Sequence, residues 1–164
     1  MQQNYCIKAD GLRKAQGAFL LAKKMGLLEN PSMEGLEARR QKHNEMLKMM
    51  EQENKIFYGP RYFSAPAYLQ YELTRLKLDF VQPSEAVRNT GLCPEFTEQE
   101  KKTFYEQNMD LFGRYFGDFF TYEEVAQIIE KRLREDAYDK LIEDVLREFE
   151  PKLRSGVVIH SFEE

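Results

Sequence analysis

The chain has 164 residues, of which 42% are apolar and 32% charged, and its formal net charge is −4. It is long enough for one domain with a real core. The net charge argues against nucleic acid as the main partner, because no excess of cations is available to displace counterions from phosphates. No run approaches the roughly 20 apolar residues of a membrane span, and no signal peptide is recognised at the start. We expect a cytoplasmic protein if Met1 is the natural start, and an extracytoplasmic one if a leader has been removed.

Three helices are predicted in the first half of the chain. The first covers Ile7 to Met25, where Gly17 either weakens the helix or allows another helix to approach closely. The second begins at Ser32, a predicted N-cap, and runs to about Glu53. The third runs from Pro66 to about Val81, because Pro83 pushes the residue before it out of helical geometry.

The second half is organised by two capping boxes, Thr97–Glu100 and Thr121–Glu124, in which threonine and glutamate satisfy each other's backbone amides. After the second box, apolar residues recur every fourth position to Phe149 while the opposite face alternates acids and bases. This pattern predicts a long two-sided helix that needs a partner helix.

The end of the chain has a different character. Residues 156–162 form a short run that is rich in β-branched residues. This run predicts a strand at Val157–Ile159, which would pair with Ile56–Tyr58. We therefore predict a mostly α fold, with residues 1–164 forming a single helical domain. The domain would contain about five helices, a long C-terminal helix and a small two-stranded β element.

No catalytic, metal or cofactor site is predicted. His43 and His160 stand far apart in the sequence without a nearby cysteine, the serines lie at caps or turns, and no glycine-rich phosphate loop occurs. Cys6 and Cys93 have neither a redox nor a metal-ligand spacing, so two free thiols are favoured over a disulfide between them.

Methionine and aromatic residues are the remaining signal. They cluster at the end of the second predicted helix and in the elements that follow it. Flexible methionine and amphipathic tyrosine suit a surface that accepts varied apolar segments. The predicted peptide-binding residues are Met46, Met50, Phe57, Tyr58, Tyr62, Phe63, Tyr68 and Tyr71.

Three segments resemble the helical N-terminal chaperone module of SurA/PrsA-type peptidyl-prolyl isomerases. They are residues 19–28, with a pattern similar to A-K-x-x-G-L, residues 57–64 followed by Tyr68 and Tyr71, and residues 96–112. The resemblance implies a chaperone that shields apolar, unfolded or extended client segments. Only Gly113 to Phe120 separate the third segment from the last helix, which leaves no room for a parvulin domain, so no isomerase activity is implied.

Two other functions stay open at this point. The chain can be a dedicated accessory protein for one client or pathway partner. It can also be an enzyme, such as a cyclase or isomerase, with His43 or His160 beside a carboxylate or tyrosine of perturbed pKa in a helical pocket. A homodimer is compatible with each of these functions.

Overall fold

The computed structural model describes Tyr5, residues 7–56 and residues 58–154, and this part of the chain is mostly helical. Six α-helices follow one another here, with one 3₁₀ turn, Met109–Phe112, between the fifth and the sixth. The helices are α1 Ala9–Lys24, α2 Met33–Gln52, α3 Ala65–Val81, α4 Glu85–Arg88, α5 Glu98–Gln107 and α6 Tyr122–Arg154. No helix in the described ranges is both long and apolar enough to cross a bilayer.

Side-chain hydrogen bonds to backbone amides cap the first turns of α2 and α5. The Ser32 hydroxyl accepts from the Gly35 amide at 3.1 Å, so the predicted N-cap of α2 is confirmed. At α5 the predicted capping box is confirmed, because Glu100 N donates to the Thr97 hydroxyl and Thr97 N donates to the Glu100 carboxylate.

The chain divides into two compact units, and the first comprises residues 1–76 with 141–164. In it, α1, α2 and the first part of α3 bury apolar side chains against the last part of α6. The fully buried side chains here include Phe19, Leu21, Leu36, Leu69 and Leu76. An ion pair lies within this core, where Arg39 donates two hydrogen bonds of 2.7 Å to the fully buried Glu72.

Gly17 is a point of close approach between α1 and α6. A Cβ atom at this position would lie 2.7 Å from Ile142 Cγ2 and 2.9 Å from Leu146 Cγ. Such separations are below van der Waals contact, so the two helices pack this closely because residue 17 has no side chain. Of the two predicted roles for Gly17, close helix approach is the one observed.

The second unit, residues 77–140, contains an apolar cluster that includes Phe112. This ring packs with Val125 and Ile129 from the first turns of α6. Elsewhere in the unit, the Phe80 and Tyr138 rings lie 5.3 Å apart. The Tyr138 hydroxyl is buried and finds no hydrogen-bond partner among the described residues.

The predicted mostly α class and long C-terminal helix are confirmed, but the predicted β element is not supported. Ile56 and Tyr58 are not in a strand, and the described residues contain only one isolated bridge, Gly113 to Phe119. Gly59-Pro60 and the turns around it interrupt any ladder at this segment. Phe57 and Val157–Ile159 lie outside the described residues. The assignment of residues 1–164 to a single domain stays a prediction.

Candidate functional site

The described members of the predicted binding set differ in exposure. Phe63 and Tyr68 are buried, whereas Met46, Tyr58, Tyr62 and Tyr71 are exposed, with Tyr58 at 97%. Met50 is half-buried, and Phe57 lies outside the described residues. We call the exposed set in the first unit the Met–Tyr surface, which contains Met46, Met49, Ile56, Tyr58, Tyr62 and Tyr71.

A cavity of about 650 Å³ lies beside this surface, and we call it the Met-lined cavity. Three methionines of α2 give it an apolar floor, and basic side chains outnumber acidic ones around them. Its lining residues are Arg39, Lys42, His43, Glu45, Met46, Met49, Met50, Glu53, Lys55, Tyr68 and Arg75. Such a cavity suits an apolar segment that carries acidic groups.

His43 is one of the titratable residues that line the Met-lined cavity. Its ring lies 5.2 Å from Phe63, 5.7 Å from Tyr68 and 5.4 Å from Tyr71. Burial and then the nearby Arg75 charge lower the pKa of His43, while burial raises the pKa of Tyr68. At neutral pH the imidazole is therefore uncharged and the phenol protonated, and no hydrogen bond joins the two. Proximity of these groups alone does not make an acid–base pair.

A second cavity of about 750 Å³ in the first unit includes Tyr62 and Arg40 in its lining. The Arg40 guanidinium donates to the Glu37 carboxylate, to the Tyr62 hydroxyl at 3.0 Å and to the Phe63 carbonyl at 2.9 Å. Asn44 also bonds both the amide and the carbonyl of Phe63. These bonds hold the segment before α3 against α2, so Arg40 has a structural role here.

The described part of the chain shows neither a cluster of metal ligands nor a reactive thiol. No group of three or more His, Cys, Asp or Glu side chains could hold a metal ion there. Cys93 is a free thiol, and burial raises its pKa, which makes it a weaker nucleophile at neutral pH. Cys6 lies outside the described residues.

The predicted binding residues do not include the most exposed aromatic pair of the second unit. Tyr115 and Phe116 are 95% and 92% exposed and lie in the segment between the 3₁₀ turn and α6. We call residues 113–120 the aromatic turn. Two glycines that interrupt an aromatic run were the only signal in the sequence, and aromatic residues are more often assigned to a core.

The base of the aromatic turn is tied to the unit that carries it. Tyr105 donates a hydrogen bond of 2.6 Å to the Phe120 carbonyl, and the Tyr105 and Phe112 rings lie 5.2 Å apart. The Arg114 guanidinium lies 4.3 Å from the centre of the Phe120 ring and bonds the Glu124 carboxylate at 2.6 Å. The turn therefore holds its rings outward from a packed base.

Among known proteins, this chain is similar to solved structures, whereas neither family models nor curated proteins match it. The native crystal structure of the GH136 lacto-N-biosidase from Eubacterium ramulus matches 87% of this chain with a TM-score of 0.69 and 30% identity. Its selenomethionine derivative matches 88% with the same TM-score and 29% identity.

The chain spans only 28% to 29% of the length of the E. ramulus enzyme. The likeness thus concerns one helical part of a longer glycosidase, and more than two thirds of that protein lies outside the match. It does not bear on the SurA/PrsA resemblance, which stays a prediction.

Proposed function

We propose that this chain is a helical accessory module of a glycoside hydrolase of the GH136 lacto-N-biosidase kind, which binds the polypeptide that carries the catalytic residues. The observation that carries the proposal is the match of 87% of this chain to 28% of the E. ramulus enzyme at 30% identity. This function is a specific form of the accessory protein with one partner that the sequence left open.

Among the described carboxyl groups with a resolved pKa shift, none offers the proton donor that glycoside hydrolysis needs. Glycosidases use one carboxylic acid with a raised pKa as a proton donor, beside a second carboxylate. The carboxyl groups with a resolved shift in the described ranges all have lowered pKa values, because hydrogen bonds stabilise their charged forms. They are Glu37, Glu98, Glu100 and Glu124.

Co-expression tests this function. The full chain is co-expressed with the part of the E. ramulus enzyme that lies outside the match, and the helical region of that enzyme serves as the positive control. We expect a one-to-one complex in size-exclusion chromatography with light scattering, together with lacto-N-biosidase activity in the complex. If the control pairs and this chain does not, the proposed function is wrong.

A second candidate function is general shielding of apolar client segments, and the Met–Tyr surface favours it. The six large apolar side chains of this surface are 37% to 97% exposed, so they are available to an apolar client segment. The test is suppression of aggregation of unrelated unfolding clients by the purified chain, compared with a Tyr58→Ser/Met49→Ser variant. Suppression that this variant loses supports the function, and failure of the intact chain to suppress aggregation removes it.

A further inference from the structure

The aromatic turn has a fixed backbone. Arg114 N donates to the Asp118 carbonyl at 2.7 Å, and Phe120 N donates to the Phe112 carbonyl at 2.9 Å. Gly117 has a φ of 86°, a conformation that favours glycine. A partner that binds the turn therefore does not have to order a flexible loop, which removes one of the main entropic penalties of association.

The exposed area of the turn is large for so few residues. Tyr115, Phe116, Phe119 and Phe120 are 95%, 92%, 47% and 40% exposed. At roughly 200 Å² per aromatic side chain, the four rings expose on the order of 500 Å². This area lies within the range of the largest patch on a typical monomer and approaches the ~800 Å² that one partner contributes to a stable interface.

The arrangement of the two outermost rings favours a protein partner over a sugar. Tyr115 and Phe116 lie 5.3 Å apart with an angle of 87° between their planes. A flat sugar face needs a flat aromatic platform, whereas perpendicular rings form a wedge. A wedge of this kind is complementary to an apolar recess between side chains, as at protein interfaces whose binding energy is concentrated in buried aromatic anchors.

The charges around the turn oppose a second copy of this chain as the occupant. Residues 110–124, which include the turn, carry four carboxylates and one guanidinium, those of Asp110, Asp118, Glu123, Glu124 and Arg114, and Arg114 pairs with both Asp118 and Glu124. A symmetric dimer through this surface would place the same acidic groups against each other. The favoured occupant is a different polypeptide with a basic rim around an apolar recess.

We propose that the aromatic turn, with Tyr115 and Phe116 at its tip, is the surface that docks this chain onto the glycosidase polypeptide. The assignment rests on the proposed function, which supplies the partner: more than two thirds of the E. ramulus enzyme lies outside the region that this chain matches. The recess on that polypeptide is apolar and bordered by lysine or arginine.

The test uses the full chain and the co-expressed E. ramulus polypeptide described above. The affinity of the complex is compared for the intact chain, a Tyr115→Ser/Phe116→Ser variant and the Tyr58→Ser/Met49→Ser variant of the Met–Tyr surface. The altered side chains at 115 and 116 are almost fully exposed, so the variant should keep the melting temperature of the intact chain. We expect its Kd to rise by about 30-fold or more, and that of the control variant to stay within about threefold.

The outcomes distinguish a failure of the docking assignment from a failure of the proposed function. If the intact chain binds and the Tyr115/Phe116 variant binds equally well, the docking assignment is wrong while the proposed function stands. The same holds if only the Met–Tyr variant loses affinity, or if the 115/116 substitutions abolish self-association of the chain instead. If the intact chain does not bind although the E. ramulus helical region does, the proposed function fails and the assignment fails with it.

Discussion

The Arg39–Glu72 ion pair provides a direct test of what stabilises the first unit. The Glu72 side chain has no exposed surface, whereas 24% of the Arg39 side chain is exposed. Arg39 also donates a hydrogen bond of 2.7 Å to the Asn30 carbonyl. Replacing Arg39 with methionine keeps much of its aliphatic volume but leaves the Glu72 carboxylate buried without its cation.

Removal of Arg39 and removal of Glu72 should lower the free energy of unfolding by different amounts. Breaking a buried ion pair by removing one partner costs about 3–5 kcal/mol, so Arg39→Met should lower the free energy of unfolding by about 3–4 kcal/mol. Glu72→Leu should cost less, about 1–2 kcal/mol, because Arg39 can still reach water. The double variant should lie within about 1 kcal/mol of the intact protein, since an apolar pair of similar volume removes the orphaned charge.

Urea denaturation followed by far-ultraviolet circular dichroism measures these free energies for the four proteins of the cycle. We expect a strong favourable coupling energy between the two substitutions. A loss below about 1 kcal/mol for Arg39→Met would refute it. So would a double variant whose destabilisation equals the sum of the two single ones.

Three further predictions concern packing, protonation and a buried hydroxyl. Gly17→Ala should lower stability by about 1–3 kcal/mol through overpacking, whereas Gly11→Ala, whose nearest neighbour would be 3.7 Å away, should raise it by up to about 1 kcal/mol; thermal melts compare the two. The pKa of His43 is lowered from 6.5 by burial and then by the Arg75 charge, so between this lowered pKa and pH 6.5 the unfolded chain binds more protons than the folded chain. Stability should therefore fall as pH decreases through 6.5, and His43→Gln should remove this slope in urea titrations at several pH values. Tyr138→Phe removes a buried hydroxyl that has no partner among the described residues and should raise the free energy of unfolding by about 1 kcal/mol; a decrease would mean that the hydroxyl is satisfied.

The features that were predictable from the sequence are local ones. The caps at Ser32 and Thr97 depend on side chains within three residues of the helix start, so a short motif identifies them. The length of α6 follows in the same way from its apolar period. The exposure of individual aromatic residues does not, because it depends on which neighbouring element covers them.

Phe63 and Tyr62 illustrate this limit at the candidate site. They are adjacent in the sequence and both aromatic, yet Phe63 is buried against His43 and Tyr68 while Tyr62 is exposed. The difference arises from the Asn44 and Arg40 bonds that turn this segment toward α2. Those bonds join residues 19 to 23 positions apart, beyond the range of any periodic pattern.

The packing of α1 against the end of α6 has a consequence for synthesis of the chain on the ribosome. The Lys24–Glu148 ion pair, for example, joins residues 124 positions apart. At the usual 5–20 residues per second, the segment between them takes roughly 6 to 25 s to translate. During that time the apolar stripe of α1 has left the ribosome before the helix that covers it exists. The first unit can therefore close only after the last part of α6 has been translated, and a chain truncated before Leu141 would expose Phe19 and its neighbours to chaperones and proteases.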